Sequence, residues 1–145
     1  MHAGSAVAVA ATFIWLGMVL AISFLEAPLK FRAPGVTLPI GLGIGRLVFR
    51  ALNTCEAVLA VAVLAGGFTA QKSGGASGAA MWVFVLAVVV LAVQVLLVRP
   101  ALTRRSDRVL AGEDGPRSRA HLAYVGLEVV KVIALAVGGV LVLAG

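Results

Sequence analysis

His121, Tyr124, Glu128 and Lys131 stand three, four and three residues apart in "RAHLAYVGLEVVKVIALAVGGVLVLAG", a run otherwise rich in lipid-soluble side chains. Those spacings place all four on one face of a helix. An imidazole, a phenol, an acid and an amine in one stripe are groups that exchange protons, pair with ions or hold a polar solute. A second constellation lies earlier in the chain, where Arg46, Arg50 and Asn53 share a helical face with Glu56 at its edge. Ser23, Glu26 and Lys30 make a similar column nearer the start.

The elements that carry these columns follow from composition. The 145 residues amount to one domain, and 61% hydrophobic content, 12% charged content and a mean hydropathy of +1.09 lie far outside the soluble range. A helix needs about 20 apolar residues to cross a hydrocarbon core. Four stretches are long enough: Ala3 to Leu25, Ala51 to Ala70, Ala76 to Val98 and Ala120 to Ala144. None shows the two-residue period of a porin-type strand, so helices are what satisfies the backbone in lipid. The expected fold is all-α: a single domain over residues 1–145, built as an integral membrane antiparallel four-helix bundle. The first apolar run is too long for a secretory signal and lacks its basic start, so it reads as a retained first helix.

The formal charge is +6, and its distribution orients the chain. Lys30, Arg32, Arg46 and Arg50 lie between the first two spans, and Arg99, Arg104, Arg105, Arg108, Arg117 and Arg119 between the last two. The middle loop, "TAQKSGGASGAA", carries only Lys72. By the positive-inside rule both basic loops face the cytoplasm and both termini lie outside, in a plasma or bacterial inner membrane. The arginines adjoin membrane spans with few aromatics among them to stack bases, so no nucleic acid is expected. The bilayer itself is the first expected partner. Cys55 is the sole cysteine, which excludes an internal disulfide and a cysteine-based metal cluster; in apolar surroundings its thiol is inert.

Several boundaries can be anticipated. Helix 1 should weaken near "EAPLKF", because Pro28 removes a donor and disfavours helix at Ala27. "FRAPGVTLPIGLGIG" suits a loop or short re-entrant segment, although its Gly41–Gly45 spacing would permit close helix approach. Helix 2 is expected to start between Gly43 and Arg46 and to end at Gly66 or shortly after. Helix 3 should run past Arg99, kink at Pro100 and stop at Gly112, with Pro116 in the first turn of helix 4. Trp15 and Trp82 sit too deep in their spans for interfacial anchors and read as packing residues.

Counting from the outer ends at about 1.5 Å per residue puts Lys131 and Glu56 both roughly 20 Å down, and Glu128 and Asn53 about 24 Å. Glu26, Lys30, Gln94 and Arg99 reach the same inner third. Charges facing lipid at that depth would cost several kcal/mol each, so these faces should meet inside the bundle. The expected pairing sets Glu56 and Glu128 against Lys131 and Arg50. The plainer alternative is a set of ion pairs that fixes helix register and handedness. A metal centre is a poor match, because di-metal bundles use Glu-x-x-His and Glu26, Glu56, Glu128 and His121 do not supply it.

Two resemblances carry further expectations. "FLEAPLKFR", "GRLVFR" and "RAHLAYVGLE" resemble segments of small four-helix transmembrane proteins of unknown function, the transmembrane-protein-205-like group, which implies a fold and a layout over most of the chain. "RLVFRALNTCE" is similar to the second-helix signature of the membrane-associated eicosanoid and glutathione metabolism family. That resemblance implies glutathione binding by Arg46 or Arg50 with Asn53 and Glu56 at a trimer interface.

The residues themselves point to a charged pocket open to the cytoplasmic side that binds or transports a small polar or anionic solute, or protons. Its candidate residues are Glu26, Arg46, Arg50, Asn53, Glu56, His121, Tyr124, Glu128 and Lys131. A glutathione-like thiol or lipid transferase and a non-catalytic accessory subunit are the alternatives. A homo-oligomer, dimer or trimer, fits any of the three. The residues do not identify a cofactor.

Overall fold

The computed structural model describes residues 1–112 and 119–145. The expected Pro116 turn lies outside the described residues. Four long helices account for nearly all of what is described: α1 (Ala3–Arg32), α2 (Leu38–Lys72), α3 (Gly78–Leu110) and α4 (Arg119–Ala144). Each is long and apolar enough to cross a membrane, with mean hydropathies of 2.3, 1.8, 2.9 and 2.3. The described residues contain no strand, and the fold is an all-α four-helix bundle.

Local chemistry sets the helix ends. Thr37 caps α2 by accepting from the Ile40 N–H, with Pro39 in the first turn, and Ser77 caps α3 by accepting from Ala80. Gly112 closes α3 at φ +90°, a backbone that L side chains rarely adopt, so the stop falls where the sequence placed it. Two other boundaries are corrected. The Pro-Gly stretch before Arg46 is helix from Leu38 onward, because Pro39 sits where its missing N–H is an orphan anyway. α2 also runs past Gly66 to Lys72.

Helix 1 does not break near Pro28, and α3 continues through Pro100. Both absorb the proline in a widened turn. Leu20–Glu26 and Gln94–Val98 are π-helical, and the residues just before the prolines, Ala27 and Arg99, donate five positions back to Ile22 and Gln94. An inserted residue per turn satisfies the ladder where proline would disrupt it. It also re-aims the side chains within the turn, Ser23 and Gln94 among them.

The helices form a ring in which α1 packs on α2, α2 on α3, α3 on α4 and α4 on α1. Ser5 at the start of α1 donates to the carbonyl of Gly75 in the α2–α3 turn (3.3 Å). At the opposite end, Arg46 early in α2 donates to Ser106 late in α3 (3.1 Å). Both basic segments therefore lie at one end.

The core is lined by small residues (Ala8, Ala11, Ala60, Ala80, Ala87, Ala134) around Trp15, Phe84 and Leu135. Leu47, Val61, Leu96 and Leu97 lie outside, each about 70% exposed. Water would drive those side chains inward, whereas lipid does not distinguish them from its own tails, and close backbone packing of small residues then holds the helices. Trp82 is 76% exposed near the start of α3, so it is not the packing residue expected; Trp15 is. The α1–α2 contact is backbone-close at Gly66, where an added Cβ would lie 2.8 Å from the Ala8 nitrogen and 2.9 Å from the Gly4 carbonyl. Gly66→Leu should force these backbones apart and lower stability by about 1–3 kcal/mol, as overpacking does, read as a drop in the detergent unfolding midpoint.

Candidate functional site

Midway along the bundle each helix contributes a polar side chain to one buried cluster. Lys131 from α4 is fully buried, and its ammonium lies 2.5 Å from Glu56 Oε1 on α2 and 2.6 Å from Glu128 Oε1 on its own helix. Its third proton goes to Gln94 Oε1 on α3 (2.8 Å). Gln94 in turn donates through Nε2 to Glu128 Oε1 (2.8 Å) and to the Tyr124 carbonyl (3.3 Å). From α1, Trp15 Nε1 donates to Glu56 Oε1 (2.8 Å), and the Ser23 hydroxyl donates to Glu128 Oε2. The last carboxylate oxygen, Glu56 Oε2, is reached by the Asn53 amide at 3.0 Å in the orientation that satisfies both ends of that amide; its oxygen then accepts from Arg99.

Every acceptor of both carboxylates and every proton of the ammonium thus has a partner, which is the condition under which ionised groups are tolerated in a low-dielectric interior. Two carboxylates face one ammonium, leaving one negative charge. Arg99 supplies the balancing positive charge through Asn53. Its guanidinium rests on α2, donating to the carbonyls of Phe49 (2.9 Å) and Arg46 (3.4 Å).

Beneath this cluster, toward the basic end, lies a cavity of about 480 Å³ bounded by all four helices. Glu128, Ser23 and Tyr124 form its inner wall, with His121 beside them. Lys30, Arg46, Arg99 and Arg105 place positive charge around it, and Phe24, Phe31 and Phe49 give apolar surface. Gly41 and Gly45 leave room for the Phe31 ring and the Lys30 ammonium, so the glycine spacing does serve close approach. Lys30 sits 5.5 Å and 5.6 Å from the Phe31 and Phe49 ring centres, within cation–π range. Arg46 pairs with Asp107 at the rim, where their side chains are 37% and 62% exposed. The Tyr124 hydroxyl is buried with no hydrogen-bond partner, and its ring packs edge-on against Phe49 at 5.8 Å.

Among the residues singled out by sequence, the structure unites Asn53, Glu56, Glu128 and Lys131 in the buried cluster. It places Arg46, His121 and Tyr124 around the cavity with Glu128. Two expectations are corrected. Arg50 is exposed on α2 and does not pair with the carboxylates; Arg99, one helix over, holds that position. Glu26 is half-buried outside the cavity wall, 3.6 Å from Lys30. Trp15 reads from sequence only as a packing residue, and Gln94, placed by depth in the polar layer, is not counted among the candidate site residues. Their signal was available: a buried indole N–H requires an acceptor, and an amide in the middle of an apolar span requires polar neighbours.

No family model matches the chain, and neither a curated protein nor a solved structure matches it.

Proposed function

We propose that this protein binds or transports a small polar or anionic solute, or protons, through a charged intramembrane pocket open to the cytoplasmic side. The observation that carries the reading is the continuity between the cavity and the buried cluster: Glu128 belongs to both, and Arg99 reaches from the cavity wall to the cluster through Asn53. A purely architectural ion pair needs no cavity beside it. Excess positive charge around the cavity favours an anion, and three phenylalanines favour one with an apolar body.

Both basic segments share the cavity end, so the positive-inside rule puts that end in the cytoplasm of a plasma or inner membrane, with both termini outside. Toward the termini the cluster is followed along its helices by Val63, Ala134 and Leu135, all buried, which supports access from the cavity end. The transferase reading has less support, because Arg50 is exposed on α2 while Glu56 is fully buried and engaged by Lys131 and Trp15.

Proteoliposomes test the proposal. Wild-type protein should accelerate radiolabelled benzoate uptake or proton flux over empty liposomes, and Glu128→Gln should reduce that flux at least tenfold. Equal flux in wild type, Glu128→Gln and empty liposomes would end the transport reading.

A further inference from the structure

The placement of Arg99 has a chemical consequence for whatever anion enters the cavity. Its guanidinium is half-buried in the cavity wall, and it also balances the charge of the Glu56–Lys131–Glu128 cluster through the Asn53 amide. With Arg99 counted, the cluster is neutral: two carboxylates against one ammonium and one guanidinium. An anion bound in the cavity draws on the same positive charge. The cluster is then left with one uncompensated negative charge in a medium where that is expensive.

We propose, on the basis of the anion-pocket reading above, that anion binding is coupled to the uptake of one proton, taken from the cavity side and held by Glu128. Glu128 is the carboxylate with access, because it lines the cavity while Glu56 is enclosed. It is also the one whose partner accepts a reversed hydrogen bond without giving up another contact. Glu128 Oε2 accepts from the Ser23 hydroxyl, and a hydroxyl both donates and accepts. Once Oε2 carries the proton it donates to Ser23 Oγ, and no hydrogen bond is lost. Glu56 Oε1 accepts from the Trp15 indole and the Lys131 ammonium, both donors without that freedom; its Oε2 faces the Asn53 amide, which could accept a proton from Glu56 only by turning its NH2 onto Arg99 and losing that hydrogen bond.

The groups facing Glu128 come from every helix: Ser23 from α1, with Glu26 and Lys30 further along; Glu56 from α2; Gln94 and Arg99 from α3; Lys131, Tyr124 and His121 on α4 itself. The Tyr124 hydroxyl is buried in the cavity wall and unpartnered, a donor in place for the incoming anion. The solute that fits is a monoanion with an apolar body, and the bound complex is net neutral: one anion with one proton.

Titration calorimetry of the full-length protein in detergent with benzoate, which stays ionised near neutral pH, counts the protons when run in two buffers of different ionisation enthalpy. The expected result is about one proton taken up per benzoate bound, with Kd rising about tenfold per pH unit across that range, as reciprocal linkage requires. In Glu128→Gln the ratio should fall toward zero. Should that variant not fold, the wild-type proton count and pH slope decide the matter by themselves. Saturable benzoate binding without proton uptake overturns the coupling and leaves the anion pocket standing. Uptake that survives Glu128→Gln but vanishes in His121→Gln overturns the assignment to Glu128. No saturable binding overturns the coupling and the anion pocket together.

Discussion

Lys131→Met is expected to destabilise the protein by about 3–5 kcal/mol, because it removes the one ammonium between two fully buried carboxylates and leaves them only the more distant Arg99 as counter-charge. The measurement is reversible unfolding in mixed detergent micelles, or the thermal midpoint where unfolding is irreversible. The cost arises from the stranded charges and not from lost packing, since methionine nearly matches the lysine stem in volume. Neutralising the partners as well, in Glu56→Gln/Glu128→Gln/Lys131→Met, should therefore restore most of the loss. A single mutant as stable as wild type would mean that the carboxylates are already neutral in the folded protein, and the charge balance assigned to Arg99 would be wrong. The triple variant also separates architecture from function. If the cluster only fixes helix register, a refolded triple variant binds benzoate with the wild-type proton count; if it serves the pocket, that variant folds and binds benzoate without taking up a proton.

The second large effect is on binding. Arg99→Gln should weaken benzoate affinity by about 10- to 100-fold, the loss of a charge-assisted hydrogen bond worth roughly 1.5–3 kcal/mol. The effect should exceed that of Arg105→Gln on the same wall, because Arg99 is held in place by the carbonyls of Phe49 and Arg46 and loses little freedom on binding. Comparable losses in the two variants would indicate a diffuse positive surface in place of a positioned contact.

Much of this arrangement is legible in sequence because membrane burial raises the stakes on each polar residue. The spacing of Tyr124, Glu128 and Lys131 on an apolar helix permits one face, and residue counts alone bring Glu56 to the same depth as Lys131. The cost of charge in lipid then forces the two faces together. The miss at Arg50 has a local cause. It shares a helical face with Arg46 but lies two turns before Glu56, near enough in depth to suggest pairing, while its own angular position turns it outward. Asn53 fills the gap, and it reaches Arg99 on a different helix, a contact that no intrahelical spacing encodes.

The π-helical turns are the other feature that resisted sequence reading. Pro28 and Pro100 both predict disruption, and both were expected to weaken or kink their helices. Whether a helix answers proline by breaking or by widening depends on its neighbours, and here the widened turns place Ser23 and Gln94 against Glu128. Likewise, the Pro-Gly stretch before Arg46 has loop composition, yet Thr37 as cap and Pro39 in the first turn start a helix there. Its glycines are then spent on admitting Phe31 and Lys30.

The most direct test of the pocket is equilibrium dialysis of radiolabelled benzoate against purified protein in detergent, corrected with protein-free micelles. The proposed anion pocket requires saturable binding of about one benzoate per chain, displaced by other small monoanions and weakened at least tenfold in Arg99→Gln, the low end of a charge-assisted hydrogen bond. Binding that does not saturate, or that is the same in wild type and Arg99→Gln, would contradict it.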